Sequence, residues 1–78
     1  MGQAEVLEFM IRIGKPLSRT QIAEEMKENA VTVSHILTKL LKHNEIKCFE
    51  LDRYQTAEMM GLKRPHRRTR FYYCVKKV

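Results

Sequence analysis

Two short helices joined by a tight turn, residues 18–44, constrain the fold of this chain more than any other stretch. Ser18 and Gln21 have the spacing of a capping box, in which each side chain bonds the other residue's backbone N–H at a helix start. The apolar residues that follow share one helix face: Ile22, Ala23 and Met26. Asn29 is a good cap for a second helix, and Asn44 can end that helix because Asn tolerates the left-handed conformation. This stretch therefore predicts a helical hairpin with an apolar seam.

The second helix of the pair has two faces of different chemistry. Its apolar face carries Val33, Ile36, Leu37, Leu40 and Leu41. Its other face carries Ala30, Val31, Thr32, Ser34, His35, Thr38, Lys39 and Lys42. That second face has no acidic residue, whereas a solvated helix surface usually mixes Glu with Lys. Short hydrogen-bonding groups and cations suit a helix that approaches a polyanion and reads base edges.

Regular elements are also predicted before and after the hairpin. Residues 3–13 form a helix with one apolar face, and Gly14 is a natural stop for it. Pro16 keeps the next segment extended. Residues 45–51 and 70–76 alternate in polarity and predict two antiparallel strands. Phe71, Tyr73 and Val75 share one face of the second strand, and Tyr72 and Cys74 share the other. Both faces are partly apolar, so we expect the first helix or a partner to cover part of the second one.

The segment between the two strands is too long for a tight turn, since it spans residues 52–69. We expect a short helix near residues 55–60, with its start at Gln55 or Thr56 and a stop at Gly61. Three apolar residues are expected to pin this helix to the body: Met59, Met60 and Leu62. The rest of the segment is a cationic run that Pro65 keeps irregular, and we predict a mobile arm there.

Positive charge is concentrated in the last third of the chain. The net charge of the whole chain is +6, and residues 52–78 alone carry a net +6. Concentrated positive charge on a small domain is the electrostatic pattern of a nucleic-acid binder. The simpler interpretation is charge that keeps the protein in solution.

The run Ile22-Ala23-Glu24-Glu25-Met26, followed by residues 32–40, resembles the helix-turn-helix of winged-helix transcriptional regulators. The resemblance implies an α+β fold with a three-helix core, a small antiparallel sheet and a long basic wing, in one domain over residues 1–78. Two positions depart from the family's pattern. Lys27 stands where a turn glycine is usual, and Glu28 stands where an apolar residue is usual.

This resemblance implies sequence-specific binding of double-stranded DNA, with a recognition helix near residues 30–43 and a wing near 52–70 on the backbone or in the minor groove. The candidate base contacts are Asn29, Thr32, Ser34, His35 and Thr38. The candidate backbone contacts are Ser18, Arg19, Thr20, Lys39 and Lys42. The wing residues are Lys63, Arg64, His66, Arg67, Arg68 and Arg70. A homodimer is expected, with the first helix and the aromatic strand 71–75 as the available surfaces.

Other function classes receive less support from the sequence. An RNA-binding or protein-binding winged-helix module of a ribonucleoprotein or polymerase assembly is the alternative, because a basic wing also suits RNA. We expect no enzymatic activity, cofactor or small-molecule ligand, since there is neither a Gly-rich phosphate loop nor an inward-facing carboxylate pair. Cys48 and Cys74 lack metal-ligand spacing, so they are expected to be reduced and packed as small apolar residues. We also expect a cytoplasmic protein, because no membrane-length apolar run or signal pattern is present.

Overall fold

The structure, a computed structural model, describes residues 2–75 as a small α+β fold with four helices and a three-stranded antiparallel sheet. The elements in chain order are α1 (Gln3–Ile13), β1 (Leu17–Ser18), α2 (Arg19–Met26), α3 (Ala30–Lys42), β2 (Ile46–Leu51), α4 (Arg53–Met59) and β3 (Thr69–Cys74). The predicted helices before and within the hairpin are therefore confirmed, as are the two longer strands. The predicted strand end at Lys76 lies outside the described residues.

Side-chain caps at the helix starts explain why the hairpin forms where the sequence predicts it. The Ser18 hydroxyl accepts a hydrogen bond from the Gln21 backbone N–H at 3.2 Å, and the Ser18 N–H donates to the Gln21 side chain at 2.8 Å. The Asn29 side chain accepts a bond from the Thr32 N–H at 2.8 Å, at the start of α3. These bonds satisfy backbone donors that have no partner inside their helices.

The sheet has the strand order β1-β3-β2, so β3 is the central strand. Leu17 of β1 lies opposite Tyr72, and Cys48 of β2 lies opposite the same residue. Tyr72 belongs to a buried apolar cluster contributed by α1, α2, α3 and the sheet. Its members are Val6, Phe9, Met10, Leu17, Ile22, Ala23, Val33, Ile36, Leu37, Leu40, Ile46 and Tyr72. The apolar faces of α1 and β3 that we expected to be available to a partner are therefore largely used inside the fold.

Helix α4 covers part of the opposite face of the sheet. Phe71 is only 1% exposed although it lies outside the main cluster, and it stacks on Phe49 with ring centroids 5.8 Å apart. Helix α4 contacts β2, and its residues Thr56 and Ala57 are buried. The face of β3 that carries Tyr72 and Cys74 is the one we expected α1 or a partner to cover. It packs against α1, so that expectation is confirmed, and α4 adds a cover on the opposite face.

The predicted start of α4 and the predicted anchors of α4 were both wrong. The helix begins at Arg53, two residues earlier than expected, because Asp52 and Gln55 form a second capping box. This start turns Thr56 and Ala57 inward. The three residues expected to hold the helix down are instead exposed: Met59, Met60 and Leu62. Gly61 adopts the left-handed conformation just after the helix, as a stop residue should.

The two cysteines lie in different surroundings. Cys74 is half-buried, and its thiol donates to the Glu45 carbonyl at an S···O distance of 3.7 Å. Cys48 is exposed, so the expectation that it packs as a small apolar residue was wrong. Cys48 lies on the edge strand β2, where Ile46 two residues earlier is buried but Cys48 is not. Separately, none of the helices within residues 2–75 combines the length and the apolar character that crossing a membrane requires.

The turn between α2 and α3 places a lysine where glycine is favoured. Lys27 has a φ of 54°, and the Glu28 N–H donates to the Ala23 carbonyl at 2.9 Å. This is the bond pattern of a Schellman motif, in which the left-handed residue is usually Gly. Asn44, after α3, is the other described residue besides glycine with a positive φ, at 58°.

We predict that Lys27→Gly raises the free energy of unfolding by about 1 kcal/mol, because Gly has no Cβ to strain the left-handed conformation. Asn44→Gly is the matched control. It should give a smaller gain, since Asn tolerates that conformation and Gly increases the entropy of the unfolded chain. Urea unfolding of both variants measures the difference. If Lys27→Gly is less stable than the natural chain, or if both variants gain equal stability, Lys27 is not strained at this turn.

Candidate nucleic-acid interface

The outward face of α3 is defined by the way the helix buries its other side. Val31, His35, Thr38 and Lys42 follow one another at helical spacings of four, three and four residues, and all are exposed. They lie opposite the buried residues Val33, Ile36, Leu37 and Leu40. No acidic residue occurs anywhere in α3. The face thus offers one apolar group, one imidazole, one hydroxyl and one ammonium to a partner.

The predicted base-contact residues do not all lie at the centre of this face. His35 and Thr38 do, whereas Thr32 and Ser34 are half-buried at its two flanks. Asn29 is exposed, but its side-chain oxygen already accepts the Thr32 N–H as the helix cap. The Thr38 hydroxyl donates to the Ser34 carbonyl at 2.9 Å, which leaves its oxygen free to accept.

Val31 is a candidate contact that sequence reasoning did not select. It is 65% exposed, one turn before His35 on the same face. An exposed apolar side chain on a groove-reading helix is suited to contact the methyl group of thymine. The signal was in the sequence, because Val31 falls outside the spacing of the buried residues of α3 and inside that of His35 and Thr38.

A second feature is an open cleft of about 770 Å³ between the start of α2 and the base of the loop that precedes β3. Its lining residues are Ser18, Arg19, Thr20, Gln21, Glu24, Glu50, Met60, His66, Arg67, Arg68, Thr69, Arg70 and Tyr72. The cleft therefore brings together the three predicted backbone contacts at the start of α2 and four of the six predicted wing residues. Of the described residues, those of α3 line no part of it.

The charges of the cleft are mostly positive. Arg19 comes from α2, and Arg67, Arg68 and Arg70 come from the loop and the start of β3. Glu24 and Glu50 are the acidic lining residues. Arginine can hold a phosphate with two parallel hydrogen bonds, and the first N–H groups of a helix also favour an anion. The cleft is therefore chemically suited to a phosphate backbone.

Glu50 binds two of these arginines at once. One carboxylate oxygen lies 2.8 Å from the Arg70 guanidinium, and the other lies 2.8 Å from Nε of Arg68. The hydrogen bond from Arg70, followed by the charge of Arg68, lowers the pKa of Glu50. The same hydrogen bond, with a further one involving Tyr72, raises the pKa of Arg70. Sequence reasoning missed Glu50, because only the strand register places it opposite Arg70.

The cationic loop, residues 63–68, has no regular structure and is exposed throughout. The sequence offers no apolar residue to anchor this loop, but polar contacts tie it to the rest of the fold. The His66 backbone N–H donates to the Arg53 carbonyl at 3.1 Å, and Arg68 is held by Glu50. Lys63 and Arg64 are exposed outside the cleft, at the side of the loop that follows α4.

Metal ligands are not gathered anywhere in residues 2–75, where no group of three or more His, Cys, Asp or Glu side chains could hold an ion. Comparison of the chain with protein-family models, with curated proteins and with solved structures found no match.

The ion pairs of Glu50 should make stability depend on pH in one direction. Because the pKa of Glu50 is lowered by folding, its contribution to stability is present at neutral pH and is lost as the pH falls through the folded-state pKa. We predict that Glu50→Gln is slightly less stable than the natural chain at pH 7, because the ion pairs are exposed, and that this small difference shrinks as the pH falls toward 3. Unfolding in urea at a series of pH values measures it. A difference that stays constant down to pH 3 would contradict the prediction.

Proposed function

We propose that this chain is a winged helix-turn-helix domain that binds double-stranded DNA in a sequence-specific manner, as a small transcriptional regulator. The order of elements supports the proposal, because a helical hairpin is followed by two strands with a basic segment between them. In this arrangement α3 is the recognition helix and residues 52–70 are the wing.

The observation that carries the proposal is the outward face of α3. Its four central residues, Val31, His35, Thr38 and Lys42, combine an apolar contact with hydrogen-bonding groups and a cation. A major groove presents the same mixture in complementary form, with thymine methyl groups, base-edge donors and acceptors, and phosphates at its rims. Lys42, in the last turn of α3, and Lys39, at the edge of the face, are suited to phosphate.

The cleft and the wing supply the second part of the interface. Phosphates that lie along the start of α2 would meet Ser18, Arg19 and Thr20, and the wing would add Arg67 from the other side of the cleft. Such contacts set the register of the protein on the duplex and carry no sequence information directly. The exposed Lys63 and Arg64 extend the basic surface farther along a backbone or into a minor groove.

One domain of this size covers about one half-site, so the proposal includes a homodimer on a pseudo-palindromic sequence. The partly exposed apolar residues Ile13, at the end of α1, and Val75, just after β3, lie on the surfaces expected for an interface. Analytical sedimentation with and without duplex DNA measures how many chains associate in each case.

The direct test compares binding to a pool of duplex DNA with binding to structured RNA at moderate salt. The proposal predicts tighter binding to duplex DNA, with a sequence preference that changes in His35→Ala and Val31→Ala. Preferential binding to RNA that is insensitive to changes at His35, Val31 and Ser34 would instead favour a module of a ribonucleoprotein assembly.

Replacing Arg67 should affect all sequences alike. We predict that Arg67→Gln lowers the affinity for every duplex and reduces the slope of log K against log salt by about 0.9, the value for one lost phosphate contact. Arg12→Gln is the matched control, because it removes the same charge from α1, where Arg12 lies over the Phe9 ring and outside the cleft. Fluorescence anisotropy across a salt series measures both slopes. Equal slopes for the two variants would contradict the role of the wing.

A further inference from the structure

We infer that Glu50 withholds Arg68 and Arg70 from polyanions, and thereby limits the sequence-independent part of nucleic-acid binding. The inference rests on the proposed function and deepens it, because it assigns an affinity-limiting role to an acidic residue inside a basic site. Its main consequence is that removing this acid strengthens binding to any polyanion, whatever its sequence.

The geometry leaves Glu50 no carboxylate oxygen without an arginine. Oε1 lies 2.8 Å from the Arg70 guanidinium, and Oε2 lies 2.8 Å from Nε of Arg68. Glu50 and Arg70 are direct partners in the register of β2 and β3, so backbone pairing holds this contact in place. Arg68 reaches the same carboxylate from the residue just before β3. One carboxylate therefore forms ion pairs with two arginines.

This arrangement contributes little to the stability of the fold. The side chains of Arg68, Arg70 and Glu50 are 75%, 51% and 37% exposed. Ion pairs at such exposed positions add little to the free energy of unfolding, because water solvates and screens both charged groups. A phosphate that approaches the same arginines must displace Glu50 or share them with it. The effect of Glu50 is therefore expected mainly in binding.

Glu50 lies beside the proposed phosphate-binding residues, so its negative charge acts on them as well. It lines the same cleft as Arg19 and Arg67, so its charge also repels a phosphate that enters there. The wing cations that remain unpaired by Glu50 are Lys63, Arg64 and Arg67. A repulsive group of this kind lowers the affinity for all sequences, and base contacts then account for a larger share of binding.

The experiment compares Glu50→Gln with Glu24→Gln on a duplex of random sequence between 50 and 200 mM salt. Glu24 lines the same cleft and takes part in neither of the ion pairs found among the described residues. Both variants lose one negative charge, but only Glu50→Gln releases two arginines. The released pair should steepen the salt slope by about 1.8 relative to Glu24→Gln, which is about a twelvefold larger loss of affinity across this range.

A triple variant identifies the released groups. Glu50→Gln combined with Arg68→Gln and Arg70→Gln should return the slope to that of the natural chain, because the cations that Glu50→Gln frees are then absent. If Glu50→Gln and Glu24→Gln have the same slope, or if the triple variant keeps the steep slope, the inference is overturned. Weaker binding by Glu50→Gln than by the natural chain would also overturn it, since Glu50 would then support the contacts.

Elution from immobilised heparin separates this inference from the proposed function. Heparin is a polyanion without base pairs, so elution reports the availability of the arginines alone. Later elution of Glu50→Gln than of Glu24→Gln supports the inference even if the natural chain shows no preference for any duplex, a result that would refute the proposed function. Equal or earlier elution of Glu50→Gln overturns the inference whatever the outcome with DNA.

Discussion

Burial of the apolar seam between α2 and α3 is the constraint on which the rest of this structure depends. Ile22 of α2 and Val33 and Leu40 of α3 have no exposed surface, and they pack in one cluster with α1 and the sheet. Full burial of a side chain of this size contributes roughly 1.5–3 kcal/mol, so rotation of α3 about its axis would be costly. The rotation that buries these residues also points Val31, His35, Thr38 and Lys42 outward. The core thus decides which side chains a partner can meet.

The local parts of the fold could be predicted from the sequence because short-range chemistry determines them. The caps at Ser18 and Asn29 and the left-handed residues Gly14 and Asn44 depend on neighbours within a few residues. The start of α4 was missed although its capping box at Asp52 has the same spacing as the one at Ser18. That signal lay at the end of a predicted strand, where we did not expect a helix to begin.

The features that sequence reasoning could not supply depend on contacts between distant segments. Glu50 and Arg70 are 20 residues apart, and only the register of β2 and β3 places them side by side. The cleft between α2 and the loop has the same origin, since β1 pairs with β3 and so brings Ser18 beside Phe71. The half-burial of Thr32 and Ser34 likewise reflects the packing of α3, which a spacing rule describes only approximately.

The proposed function assigns a different role to each of these surfaces. The outward face of α3 is suited to read base edges, the cleft to hold the backbone, and Glu50 to limit how strongly the backbone alone can bind. The measurement that tests this account most directly is selection of binding sites from random duplex DNA at moderate salt. The account predicts an enriched motif, with two-fold symmetry if the chain binds as a dimer. A selected pool with the same base frequencies as the starting pool would contradict it.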